Sequence, residues 1–516
     1  MPINFIPNDP GATAAMPMRQ QTARKVPTGT ASVELDVGEQ KGGEVADPGT
    51  VDFLYWQVRE AILAALEMWT RVEGPVPKWA RCSAPRSLEL TIDAGSELNA
   101  YYDGQGVRFF HYKAGKNLTY SGASTEAASH EFGHALLDSI RPDLWQSNYT
   151  EVAAFHEAFA DCVALLTQLD DQPTRMALLK VPGNKDLSKP SFFEAIAEDL
   201  SAAVKAAYGA SHPAAEPRHA LNTFQWALPE SLPETAPPKT LCSEVHSFAR
   251  IFVGCFYDLL RLVFTQSAST EANLLKASDT VAKLLIAGVK NAPMDPRFYR
   301  SVGRAMLTAD DAQNKGKTKP LITKAFAQHG IALGEPAAAA PVGLLAGAAP
   351  KRRGKSMIVA NSTVRDLRER LDATPGRAFE HRSLHLGPRQ VSELVYPHRI
   401  KLDRLGKQMR GVVAVGHRST LVGESNKRAA LIGPTTPESV AEAEVLWFVG
   451  TLMKMGRVRT QPLTAKRVER ISKGPGKLRK GMPKPEHRPT HHVVRRGTAR
   501  VLERLCFACG CPVTKA

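Results

Sequence analysis

Three residues within five positions define the chemistry to look for. Ser129-His130-Glu131-Phe132-Gly133-His134-Ala135 contains an H-E-x-x-H pattern inside a stretch of helical composition. Four residues advance a helix by about 400°, so the His130 and His134 imidazoles leave nearly the same face and can hold one Zn²⁺ between them. Glu131 then stands beside the ion. There it is placed to act as general base on a water whose pKa the ion lowers toward neutrality.

An open catalytic zinc site needs a third protein ligand from a second element packed on the first. Downstream, Glu151-Val152-Ala153-Ala154-Phe155-His156-Glu157-Ala158-Phe159-Ala160-Asp161 places Glu157 and Asp161 one helical turn apart on an otherwise apolar helix. Buried carboxylates in such surroundings require partners. Glu157 as third ligand, with Asp161 accepting from the far N–H of a ligand imidazole, gives both a purpose. His156 and Glu151 are rival ligands, although neither has an orienting acid one turn away. The alternative is a solvated face carrying all three acids.

With these residues in hand, the chain over roughly 88–310 resembles the thermolysin-like zinc metallopeptidases, the gluzincins, in which H-E-x-x-H is followed by a helix bearing E-x-x-x-D. Leu98-Asn99-Ala100-Tyr101-Tyr102 is similar to that family's N-A-aromatic edge strand, so the resemblance implies that Asn99 and Ala100 pair with an extended substrate. It also implies that His246, in Ser243-Glu244-Val245-His246-Ser247, and Arg218 stabilise the oxyanion of a tetrahedral intermediate. The match departs from the family in several places. Glu244, and Phe248 with Ala249, replace the glycines and asparagine expected around His246, Leu241 stands where an acid partner of His246 belongs, and the assisting tyrosine falls near Trp145 or Tyr149. Of the calcium-holding acidic clusters only Glu126, Asp170 and Asp171 remain, so structural calcium is not expected.

The elements that must position these residues follow from hydrophobic periodicity. A helix is predicted over 51–72, strands over 87–92, 97–102 and 107–112, and helices over 124–140, 151–168, 192–208, 243–264, 271–289 and 295–308. A small sheet followed by helices is an α+β arrangement; the resemblance makes it a zincin-type sheet and active-site helix with a mainly helical subdomain. The first fifty residues, rich in Pro, Gly, Thr and Ala, read as a flexible arm. Residues 51–331 form the metallopeptidase domain and the Ala/Gly/Pro-rich 332–350 a linker. Beyond it lies a separate basic accessory region, 351–516.

Charge marks that last boundary. Residues 1–350 hold 32 basic and 38 acidic side chains, whereas 351–516 hold 35 and 13, a net of +22. Such a surface suits polyanions, either nucleic acid or an anionic surface. A helix is expected over 439–455. At the tail, Cys506, Cys509 and Cys511, with His487, His491 and His492 upstream, offer a second, structural zinc site of irregular spacing. The four other cysteines are isolated and make no disulfide framework. No run of 18 apolar residues is present and the N-terminus lacks a secretory signal, so the expected compartment is cytoplasmic, with export by a route lacking an N-terminal signal as the alternative. The activity expected from these readings is zinc-dependent cleavage of a peptide or protein substrate. Its rivals are a basic binding protein with a silent zincin scaffold, and an exported protease effector.

Overall fold

The computed structural model describes residues 2–36, 45–82, 87–114, 117–334, 380–386, 389–425, 428–431, 436–464, 489–505 and 507–508. It is a mixed arrangement of helices and small sheets. The expected linker lies almost wholly outside these residues, as do His487, Cys506, Cys509 and Cys511.

The chain opens with a two-stranded ribbon, β1 (Pro2–Phe5) and β2 (Arg19–Thr22). Strand β3 (Ser32–Asp36) joins β4 (Ser87–Thr91), β5 (Ala100–Tyr102), β6 (Gly106–Phe109) and the distant β18 (Phe507–Ala508) in a five-stranded sheet of order β18-β5-β6-β4-β3. Strands β3, β4 and β6 are parallel; β5 runs antiparallel to β6 and β18 antiparallel to β5. Two short hairpins, β7 (His111–Ala114) with β8 (Asn117–Tyr120) and β9 (Ala195–Ile196) with β10 (Arg218–His219), sit beside it.

Among the described residues up to 334, nine α-helices occur: α1 (Val51–Val72), α2 (Thr125–Ile140), α3 (Thr150–Asp170), α4 (Gln172–Leu178), α5 (Glu198–Tyr208), α6 (Val245–Phe264), α7 (Glu271–Asn291), α8 (Phe298–Asn314) and α9 (Lys319–Gln328). Helix α1 starts where the Thr50 hydroxyl accepts from the Phe53 N–H and ends before Gly74, whose φ of 105° suits only glycine. Helix α3 is buried on every face, with Glu151, His156, Glu157 and Asp161 set among apolar residues; it is long and apolar enough to span a membrane, yet its apolar window is wholly buried. Phe155 on α3 meets Phe252 of α6 and Phe298 of α8 edge-on. Truncating it to alanine would cost about 3–5 kcal/mol.

Most predicted helices appear close to their expected bounds. The segment 192–208 differs: its first part is extended and pairs as β9 with β10, and only Glu198–Tyr208 is helical. Two larger expectations change. The N-terminal arm, over its described residues, is built into the fold, with Ile3, Phe5 and Ile6 buried. Gln57 of α1 bonds both the N–H and the carbonyl of Ile6, and Asn8 donates to Glu126 of α2 and Gln168 of α3. Its low-periodicity sequence hid these tertiary partners.

The basic half is likewise not separate over its described residues. Strands β11 (Glu380–Leu386), β12 (Arg389–Lys401), β13 (Val412–Ser425), β14 (Arg428–Leu431), β15 (Val458–Thr464), β16 (His491–Arg496) and β17 (Ala499–Arg504) form a seven-stranded sheet, accompanied by the helix Glu438–Lys454. Val412, Ala414, Val445, Val493 and Leu502 belong to the same buried cluster as the helices. Polar bonds cross the junction at Ser419–Met294, Thr436–Asp295, Arg297–Glu444 and Asn148–Val415.

Candidate metal centre

Two helices build the centre, and one glycine lets them meet. At Gly133 a Cβ would lie 2.8 Å from Ala160 Cα and 3.1 Å from Val163 Cβ, so α2 and α3 touch where a side chain would hold them apart. Ser124 accepts from the Ala127 N–H and caps the start of α2. The consequence is that His130 and His134 of α2 face Glu157 of α3.

His130 Nε2 lies 3.4 Å and His134 Nε2 3.6 Å from Glu157 Oε2. All three residues are buried, and their ligand atoms lie within 4.8 Å of one another. They could hold a metal ion. Glu157 is therefore the third member of the group; Glu151 is engaged elsewhere, accepting from Trp226 Nε1 and the Tyr299 N–H.

Around the cluster each ring nitrogen that faces away has a fixed partner. His130 Nδ1 is 2.7 Å from Asp161 Oδ1, as the turn-apart spacing predicted, and Asp161 is held in turn by Arg218 Nη2 at 2.6 Å and Nε at 3.1 Å. Arg218 thus serves Asp161 first. It also lines both cavities that flank the cluster. His134 Nδ1 meets His156 Nδ1 at 2.9 Å with the rings stacked. His156 is not one of the three residues of the metal-capable group and stands behind His134. Burial, then the neighbouring His134 and Arg504, hold it well below the usual imidazole pKa; with its neutral ring accepting at Nδ1 from His134, the His134 Nε2 lone pair would be left for a metal.

His246 Nε2 points at Glu157 Oε2 from 3.3 Å. Its missing acid partner is Glu244, which stands at the N-cap of α6, accepts from the His246 and Ser247 N–H groups and meets His246 Nδ1 at 2.6 Å. Sequence reading looked upstream to Leu241 and missed it. The available signal was an acid at the N-cap of a helix with a histidine in its first turn. Trp145 and Tyr149 line neither cavity: the Trp145 indole sits edge-on to His156, and Tyr149 packs under Gly416.

Charge in this cluster is that of a cation site. Burial disfavours a charged His130, yet Asp161 and then Glu157 outweigh it and raise the imidazole to about 10. Against the same cost of burial, His246 and His134 pull Glu157 well below the carboxylate range. The acids demand positive charge, a demand that a divalent ion could meet in place of the protons. Glu131 is buried beside the group, and its Oε2 has no hydrogen-bond partner among the described residues. A buried carboxylate oxygen left open is costly unless a ligand or water uses it.

The cluster is reached from a cavity of about 600 Å³ lined by Leu98, Asn99, Ala100, His130, Glu131 and Arg218 among others. A second, of about 690 Å³, is lined by Arg218, Glu244, His246 and Arg250. Strand β5 is tied to the metal helix by Tyr102, whose hydroxyl donates to Asp138 Oδ2 at 3.0 Å, while Arg81 holds the other carboxylate oxygen. The remaining sequence candidates have structural partners. Glu126 accepts from Asn8, Gln168 and the Ala197 N–H, Asp170 pairs with Arg71, and Asp171 pairs with Arg19. His491 and His492 lie in β16, with Arg504 and the Pro489 carbonyl beside them. No protein-family model matches the chain, and no curated protein matches it.

Proposed function

We propose that the chain is a zinc-dependent endopeptidase. The observation that carries this reading is the meeting of His130, His134 and Glu157 with the buried, open Glu131 carboxylate, at the wall of a cavity bordered by Ala100, the first residue of β5, and by Asn99 just before it. Two imidazoles and a carboxylate are the donor set of catalytic zinc. When bound by His130, His134 and Glu157, the ion supplies Lewis acidity that lowers the pKa of a water and polarises a carbonyl.

The chain's own residues do the rest. Glu131 takes the proton from the attacking water and passes it to the leaving amine. His246, oriented by Glu244 at its Nδ1, donates from Nε2 to the oxygen that becomes negative. Asp161 and His156 fix the rotamers and tautomers of the two imidazoles. Asn99 and Ala100 line up an extended backbone beside the acid.

Metal analysis joined to a peptide-library digest tests this. The purified protein should carry one tightly bound zinc that His134→Ala loses. Glu131→Gln should keep the zinc and the fold yet lose kcat/KM by about 10³-fold or more, because an amide cannot accept the proton. His246→Ala should keep zinc and lower kcat by about 10²-fold to 10³-fold. An active Glu131→Gln protein would rule the mechanism out.

A further inference from the structure

Phe507 and Ala508 take no part in the metal-capable group, yet the fold pairs them with β5, the strand that starts in the cavity wall. Strand β5 begins at Ala100, in the wall of the cavity that holds His130 and Glu131. Its inner edge is paired to β6; its outer edge would be open were it not covered by β18. An open strand edge beside an acid and a metal cluster is where an extended peptide adds to a sheet. Here the chain's own C-terminal segment has taken that place.

The route is short and anchored. Strand β17 ends at Arg504, whose N–H donates to Gln146 Oε1 at 2.9 Å and whose carbonyl accepts from Trp145 Nε1 at 3.0 Å and Gln146 Nε2 at 3.1 Å. The Leu505 N–H bonds the Thr490 carbonyl. Only three positions after Arg504 the chain pairs with the other sheet: Phe507 opposite Tyr102 and Ala508 opposite Tyr101, antiparallel. The paired positions, Tyr102 and Tyr101, adjoin Ala100, the residue of β5 that lines the cavity. The tether keeps the strand at a high effective concentration, whereas a ladder of two residue pairs is weak enough to leave.

We propose that β18 is a self-inhibitory strand, occupying the edge of β5 that an extended peptide substrate needs. The proposal rests on the endopeptidase reading. Displacement of the tail, or its removal by cleavage after Leu505, frees the edge without touching a metal ligand.

The test compares the zinc-loaded full chain with two variants on one fluorogenic peptide: a truncation after Leu505, and the double substitution Phe507→Pro with Ala508→Pro. Proline cannot donate to a ladder, so the second variant unpairs the strand while keeping every other residue. Both should raise kcat/KM at least about tenfold, chiefly by lowering KM. A synthetic peptide of residues 506–516, with serine for cysteine, should restore inhibition of the truncated protein and compete with substrate. If both variants are folded and zinc-loaded yet no more active than the full chain, the proposal fails and the peptidase reading stands. If no form cleaves any peptide although all hold zinc, the peptidase reading fails and self-inhibition falls with it.

Discussion

At the scale of single residues, His156 shows how a ligand is controlled by what stands behind it. Its neutral ring accepts from His134, while Asp161 takes the equivalent place behind His130. An uncharged partner makes His134 the less strongly polarised donor of the two. His156→Phe should therefore keep the ring packing and lower zinc affinity about 10-fold to 100-fold, the usual effect of losing an orienting partner; competition with a chromophoric chelator measures it. The pattern His130-Glu131-x-x-His134 was legible because helix geometry alone aligns it. Glu157 and Asp161 were legible because acids on an apolar helix need partners. His156 was named only as a rival ligand, since a histidine beside a glutamate has no spacing that separates metal contact from contact with another imidazole. Glu244 escaped notice because its value comes from the bend at the start of α6, which a one-dimensional reading does not contain.

Between elements, the decisive contact is the α2–α3 crossing at Gly133. Gly to Ala in a helix normally stabilises by up to about 1 kcal/mol. Here the added methyl meets Ala160 backbone at 2.8 Å, and overpacking outweighs propensity. Gly133→Ala should cost about 1–3 kcal/mol and weaken zinc binding together with stability; thermal unfolding with and without added zinc checks both. Helices such as α1 were predictable because a buried stripe and end signals agree over many turns. The region before α5 was not, because β9 exists through its pairing with β10, more than twenty residues away.

For the whole molecule, charge asymmetry suggested two independent halves, and shared burial joins them. Net charge is a property of surfaces and carries no information about which apolar faces meet. At the junction Arg297 lies 2.5 Å from Glu444 and 3.9 Å from Glu151. Burial raises Glu444 to about 8 and Glu151 to about 7, with Arg297 opposing in each case. Both folded values exceed that of an unfolded glutamate, so the folded protein holds protons the unfolded chain releases. Stability from these groups is present at acid pH and declines as pH rises from about 4.5 to about 8. Glu444→Gln should flatten that part of a melting-temperature profile against pH; an unchanged slope would remove Glu444 as its source.

Trp145 touches both ends of this arrangement: its indole N–H holds the Arg504 carbonyl, and its ring lies edge-on to His156, which holds His134. It is therefore a native optical probe. Its emission should respond to zinc loading through His156 and to departure of the C-terminal strand through Arg504, so one steady-state spectrum, with Trp145→Phe as the blank for the other five tryptophans, can follow both events without a label. Stopped-flow traces at that wavelength would give their order in time.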